Sequence, residues 1–100
     1  MNYEVSRQAS LDLRRIWQYT LEMWSLQQAD EYIQMLLRNF EQIGHNPLLG
    51  KDCAYLIPNY RVLKAGSHMI YYQIKSAGEK VIIIRVLHQS MDVGKWLTAK

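Results

Sequence analysis

Apolar residues recur at two different spacings along this chain, and the spacing changes near its middle. Residues 2–6 alternate polar and apolar side chains, which predicts a short first strand. Spacings of three and four then predict one amphipathic helix, roughly residues 7–23, with Ser6 as its N-cap. Its apolar stripe comprises Ala9, Leu13, Ile16, Trp17, Thr20, Leu21 and Trp24, and the opposite polar side is assigned Asp12, Arg14, Arg15, Gln18 and Glu22.

A second helix is predicted to follow almost at once. Ser25 and Gln28 have the spacing of a capping box, in which each side chain serves the other residue's backbone amide. The helix is expected to end at Gly44, in the left-handed conformation that glycine tolerates, with Pro47 preventing its continuation. The short connection makes the two helices an antiparallel hairpin. The second apolar stripe comprises Ala29, Ile33, Leu36, Leu37, Phe40 and Ile43.

After an irregular stretch at about residues 45–59, the period becomes two. It predicts a strand over 60–65, a two-residue turn at Gly66-Ser67, a return strand over 68–75, a second turn over 76–79 and a central strand over 80–88. Asp92 is expected to cap a last helical turn through Trp96 and Leu97. The prediction is therefore a single α+β domain, residues 1–100, with a helical hairpin packed on one face of an antiparallel β-meander.

Arg85 and His88 lie on opposite parities of the last strand. In a regular strand their side chains would point to opposite faces of the sheet. Only a β-bulge or the end of the strand would bring them together, and the sequence leaves both possibilities open.

Length and composition restrict the class of protein. One hundred residues, 49% of them hydrophobic, suit one domain with its own core. The single cysteine, Cys53, cannot form an intramolecular disulfide, and the N-terminus shows no signal-peptide pattern. The longest apolar run, residues 81–84, is far shorter than a membrane span. We therefore expect a cytoplasmic protein without a membrane partner.

The net charge of +3 is unevenly distributed. Residues 1–50 hold four Lys/Arg against six Asp/Glu, and residues 51–100 hold eight against three, so the halves carry −2 and +5. The second half is thus the expected face for an anionic partner, whether nucleic acid or an acidic protein segment. The alternative is that the strands simply place lysine at exposed positions.

The candidate chemistry is limited to basic residues in the predicted sheet. No glycine-rich phosphate loop is present, and His45, Cys53, His68 and His88 lack metal-site spacing, so neither cofactor nor metal is expected. Ribonuclease chemistry needs cations for the developing phosphorane charge and an acid–base pair. Arginines and a histidine could supply part of this, and the alternative is that they are structural residues paired within the sheet. The candidate set is Arg61, Lys64, Arg85 and His88.

Several short motifs together resemble the ParE branch of the RelE/ParE toxin superfamily. The resemblance spans nearly the whole chain, and its last motif is the most specific. In chain order the motifs are Ala9-x-x-Asp12-Leu13-x-x-Ile16-x-x-Tyr19, Pro47-x-x-Gly50, Tyr60-Arg61-Val62-Leu63, Gly66-Ser67-His68-Met69-Ile70-Tyr71-Tyr72 and Ile84-Arg85-Val86-Leu87-His88-Gln89-Ser90-Met91-Asp92.

This resemblance implies the toxin of a type II toxin–antitoxin pair, neutralised by a ParD-like antitoxin and directed against DNA gyrase on its DNA, with no small-molecule substrate. RelE-like relatives instead cleave messenger RNA on the ribosome, and in such a ribonuclease Arg61, Arg85 and His88 would be catalytic. Gln89 replaces the tyrosine that those relatives often carry, which favours the non-enzymatic branch. An inactive binding module is the third interpretation. The residues expected to bind antitoxin or target are Arg61, Lys64, Arg85, His88, Met91 and Trp96.

Overall fold

Two helices lie against one face of a five-stranded mixed sheet in the computed structural model, which describes residues 3–75, 80–92, 95 and 97. The sheet order is β1-β5-β4-β3-β2, with β1 parallel to β5 and the other neighbours antiparallel. The elements are β1 (Tyr3–Val5), α1 (Arg7–Met23), α2 (Leu26–His45), β2 (Lys51–Asp52), β3 (Tyr60–Ala65), β4 (His68–Lys75) and β5 (Lys80–His88).

The predicted α+β architecture is confirmed, because local signals define its elements. The Ser6 hydroxyl accepts a hydrogen bond from the Ala9 amide at the start of α1, and that of Ser25 accepts one from the Gln28 amide at the start of α2. The Gln28 side chain meets the Ser25 hydroxyl rather than the Ser25 amide. The predicted turn over 76–79 and Trp96 lie outside the described residues.

Two predictions about the segment after α2 were wrong. Gly44 is an ordinary helical residue, and α2 continues to His45. Pro47 instead determines the end of the helix, because the residue before a proline is forced out of the helical region and Asn46 adopts φ −138°, ψ 83°. The stretch expected to be irregular also contains β2, which pairs with Arg61 and Val62 of β3.

Both faces of the sheet are covered. On the second face, Cys53, Tyr71 and Leu87 form a separate buried cluster. The helices cover the first face, where the main core packs α1 and α2 side chains onto the three long strands. This core includes Ile16, Leu36, Phe40, Ile43, Ile70, Tyr72, Val81, Ile83 and Val86.

A β-bulge in β5 determines which face of the sheet the last side chains of this strand point to. Tyr71 pairs with Arg85 but Tyr72 pairs with Ile83, so Ile84 is the extra residue. Because one inserted residue reverses the alternation, Val86 joins the helix-facing core together with Ile83. His88, two residues beyond Val86, follows it towards the helices.

In the Gly66-Ser67 turn a glycine is required for its conformation. Gly66 has φ +60°, and a Cβ built there would lie 2.7 Å from the Tyr32 hydroxyl oxygen. We expect Gly66→Ala to destabilise the protein by more than about 1 kcal/mol in urea unfolding, since it combines backbone strain with this clash. Ser67→Ala, at an exposed position, should stay within about 0.5 kcal/mol. Equal stability of the two variants would contradict this account of the turn.

None of the described helices is both long enough and apolar enough to cross a membrane.

Candidate functional site

A buried ion pair joins α1 to the bulged part of β5. Arg85 donates from Nε to Asp12 Oδ2 and from Nη2 to Asp12 Oδ1, both at 2.8 Å. Asp12 Oδ2 also accepts the Val86 amide at 2.9 Å. Both side chains are more than nine-tenths buried. Hydrogen bonding to Asp12 raises the pKa of Arg85, so the guanidinium stays charged.

Asp12 also completes the open edge of β5. The strand β1 pairs only with residues 81–83, and beyond it Ser6 continues the contact: its amide donates to the Ile83 carbonyl and its hydroxyl to that of Ile84. Further along the same edge of β5, the Val86 amide donates to Asp12 Oδ2. The N-terminal part of α1 therefore substitutes for a missing strand.

The assignment of Asp12 to the polar side of the first helix was wrong. Asp12 is buried together with Ala9 and Ile16 on the side of α1 that faces the sheet. A signal was present in the sequence, since positions 9, 12 and 16 have the spacing of one helical face. An acid at such a position indicates a buried partner, because a charge is buried only when it is paired.

Arg61, a predicted site residue, is bonded to main-chain carbonyls. Its Nε and Nη2 donate to the Gly50 carbonyl at 3.0 and 2.7 Å, and Nη2 also reaches the Leu48 carbonyl at 3.4 Å. The Tyr72 hydroxyl accepts the Gly50 amide at 2.8 Å and donates to the Pro47 carbonyl at 2.6 Å. The loop from Pro47 to Gly50 is thus tied to the sheet by two side chains.

The histidines His68 and His88 lie opposite each other at the ends of β4 and β5. Their rings are perpendicular, with centroids 5.4 Å apart. The Tyr32 hydroxyl of α2 lies 2.6 Å from His68 Nδ1, and the Ser90 hydroxyl lies 2.7 Å from His88 Nδ1. Burial, with His88 as a second cause, lowers the pKa of His68 to about 4. His68 is therefore neutral near pH 7.

A backbone amide defines the tautomer of His88. Ser90 donates its backbone amide to His88 Nδ1, so that nitrogen is an acceptor and Nε2 carries the hydrogen. The Tyr32 oxygen accepts the Ser67 amide and also bonds His68 Nδ1, and the donor in that second bond depends on the His68 tautomer. His88 thus keeps Nε2–H as a donor. Metal-binding residues need a lone pair instead, and among the described residues no group of three or more His, Cys, Asp or Glu is placed to hold an ion.

The structure brings together only part of the predicted constellation. Arg85 and His88 line one cavity of about 340 Å³ beside α1, which Met91 also lines. Arg61 pairs with Tyr72 and is committed to the Gly50 loop. Lys64 is exposed next to Met69, a residue of the second-face cluster, and so lies on the side of the sheet away from the helices. Sequence reasoning did not connect His68 and Tyr32 with this site.

Comparisons with known proteins agree with this architecture. The family model described as the ParE toxin of type II toxin–antitoxin systems, parDE, matches residues 3–93. A Caulobacter vibrioides protein named Toxin ParE1 is 40% identical over 90% of this chain and 91% of its own length. A Mycobacterium tuberculosis protein of the same name is 37% identical over 93% and 94%.

Solved structures share the fold at lower identity. A structure of the chromosomal ParDE system from P. aeruginosa has a TM-score of 0.76 at 17% identity, covering 88% of this chain and 95% of the other. The RelBE2 toxin–antitoxin complex from Mycobacterium tuberculosis has a TM-score of 0.60 at 20% identity, covering 88% and 96%. The fold is therefore that of the RelE/ParE superfamily. Within it, this chain belongs to the ParE toxin family of type II toxin–antitoxin systems.

The buried Asp12–Arg85 ion pair leads to a prediction about the stability of the protein. Asp12→Asn leaves the Arg85 charge buried without its carboxylate, so we expect a loss of about 3–5 kcal/mol in the free energy of unfolding, measured in urea. Glu4→Gln is the matched control, because it removes the exposed Glu4–Lys80 pair and should cost less than about 1 kcal/mol. Similar losses in both variants would refute a special role for Asp12.

The lowered pKa of His68 leads to a prediction about how the free energy of unfolding depends on pH. The unfolded chain binds a proton near pH 6.5, whereas folded His68 binds one only near pH 4, so the unfolded state holds more protons between these values. The free energy of unfolding should therefore rise with pH from 5 to 7. His68→Gln should flatten this rise, whereas His45→Gln, at an exposed position, should retain it. An unchanged slope in His68→Gln would rule out this origin.

Proposed function

We propose that this protein is the toxin of a type II toxin–antitoxin pair, that it inhibits DNA gyrase and that a ParD-like antitoxin neutralises it. Family membership supports the toxin assignment, and the ParDE complex with the same fold supports an antitoxin partner. The site itself supports a function without catalysis, as follows.

The observation that carries the proposal is the commitment of both sheet arginines to the fold. A ribonuclease needs cations that meet the phosphorane as its charge develops. Arg85 is bound by both carboxylate oxygens of Asp12, and Arg61 is bound by the Gly50 and Leu48 carbonyls. Moving Arg85 to a substrate would break buried hydrogen bonds, and moving Arg61 would release the Gly50 loop. This arrangement favours a binding role over phosphodiester cleavage.

A ribosome-dependent endoribonuclease is the second candidate. One observation favours it: His68 and His88 are adjacent, and one of them could exchange a proton with a substrate. The RelBE2 complex also shares the fold. Against it, His88 holds its hydrogen on Nε2 and offers no base at that atom. Gln89, exposed beyond β5, supplies no titrating group.

The predicted binding residues take two roles in this proposal. Lys64, His88 and Met91 are contacts to antitoxin or to gyrase on DNA, while Arg61 and Arg85 hold the surfaces around them in place. Trp96 keeps its predicted role as a binding residue, outside the described part of the chain.

The proposal is tested by adding purified toxin to bacterial DNA gyrase, supercoiled plasmid and ATP. After detergent and protease treatment we expect linear plasmid to accumulate with toxin concentration, because a trapped cleavage complex is released as a double-strand break. A parallel translation extract should show intact messenger RNA at the same toxin concentrations. Heat-unfolded toxin is the control for non-specific effects of a basic protein on DNA.

Cleavage of messenger RNA within codons on the ribosome, with unchanged gyrase products, would reverse the assignment. In that case His88→Gln should abolish RNA cleavage while leaving the protein folded, as judged by circular dichroism. If the toxin neither traps gyrase on cleaved DNA nor causes messenger RNA cleavage, an inactive binding module would be favoured.

A further inference from the structure

A groove runs between α1 and the ends of β4 and β5. It consists of two adjoining cavities, of about 400 and 340 Å³, which share five lining residues. We define the α1–β5 groove by six residues: Arg15, Ile16, Tyr19, His68, His88 and Met91.

Two side chains give the groove nitrogen donors. His88 retains Nε2–H, because its Nδ1 accepts from the Ser90 amide. Arg15 offers only N–H donors. A ligand that matches these two groups supplies acceptors.

The charge of the groove is set by Arg15. Asp12, the acid that lines one of the cavities, already accepts two hydrogen bonds from Arg85 and one from the Val86 amide. Arg15 Nη1 approaches Asp12 only to 3.9 Å, and the Arg15 side chain is 68% exposed. Such an exposed pair contributes little, so Arg15 can turn to an anion at small cost.

The remaining walls are apolar and accessible. Tyr19 is 62% exposed and Met91 39% exposed, and Ile16 lies between α1 and the main core. Large apolar side chains that remain exposed beside a charged rim are typical of a protein-binding surface. A hydrated phosphate backbone would gain nothing from these walls, whereas a peptide side chain would be buried against them.

We propose that the α1–β5 groove binds a carboxylate carried next to an apolar side chain, on an acidic segment of the antitoxin. The carboxylate accepts from Nε2–H of His88 and from the Arg15 guanidinium, and the apolar neighbour packs on Tyr19 and Met91. This inference depends on the proposed function only for the identity of the partner. The groove and its donors are properties of the toxin alone.

The test uses short peptides and the full-length ¹⁵N-labelled toxin. N-acetyl-Leu-Glu-amide is titrated to tens of millimolar while imidazole and backbone resonances are followed, since so small a ligand binds weakly. We expect saturable shifts at His68, His88 and Met91. N-acetyl-Leu-Gln-amide should bind about tenfold more weakly, because it lacks the charged acceptor. Inorganic phosphate should shift these resonances less than the Leu-Glu peptide.

Two matched variants separate the groove from general charge. Arg15→Gln should weaken peptide binding several-fold, whereas Arg38→Gln, which removes the same charge from an exposed position on α2, should not. Equal binding of the Glu and Gln peptides, equal effects of the two variants, or an absence of saturable shifts would each overturn the proposal.

Stronger binding of phosphate than of the peptide would also overturn the proposal and would indicate a nucleic-acid surface instead. The peptide titration contains neither gyrase nor ribosomes, so a negative result would not contradict the proposed function. Equally, a negative gyrase assay would not contradict the proposed peptide binding in the groove.

Discussion

The contact between Asp12 and the bulged part of β5 is the constraint on which the rest of the structure depends. One carboxylate binds the Arg85 guanidinium and the Val86 amide, and thereby fixes α1 along an edge that β1 is too short to cover. The bulge at Ile84 brings Val86 into the helix-facing core. His88 then meets His68 at the end of the sheet, beside α1. The N-terminal part of α1, the bulged part of β5 and the groove thus meet at one buried acid.

This constraint also changes the meaning of the basic half of the chain. The excess of positive charge suggested a cationic surface, yet its two arginines on the central strands bind Asp12 and the Gly50 carbonyl. The buried Arg85 guanidinium requires a fixed partner, and the half-buried Arg61 guanidinium is bonded to main-chain carbonyls, so both are engaged within the protein. Positive charge offered to partners comes from exposed residues such as Lys64, and also from Arg15 on the helical half that is net acidic. The net charges of the two halves of the sequence are therefore a poor guide to the position of a partner-binding surface.

Local signals in the sequence were sufficient for most of the fold. The limits of α1 and of the three long strands agree with their predicted ranges, because caps, turn residues and periodicity act within a few positions. Contacts between residues far apart in the chain, which can override these local signals, were not visible in the sequence. Asp12 was misassigned because its partner is 73 residues away, and the bulge lies directly before that same partner. At Gly44, a proline three residues later outweighed a local glycine signal. Likewise Arg61, Arg85 and His88 were recognised as unusual residues, but their division into structural and binding roles required the contacts.

The most direct measurement of the central contact is native-state hydrogen exchange at the Val86 amide. If Asp12 closes the open edge of β5, this amide should exchange as slowly as the amides of β5 that bond to β4, although β1, its neighbour on that edge, pairs only with residues 81–83. In Asp12→Asn its protection should fall far more than that of the β4-bonded amides, examined under conditions where the variant remains folded. Fast exchange of Val86 in the unmodified protein, or protection unchanged by the substitution, would contradict the account.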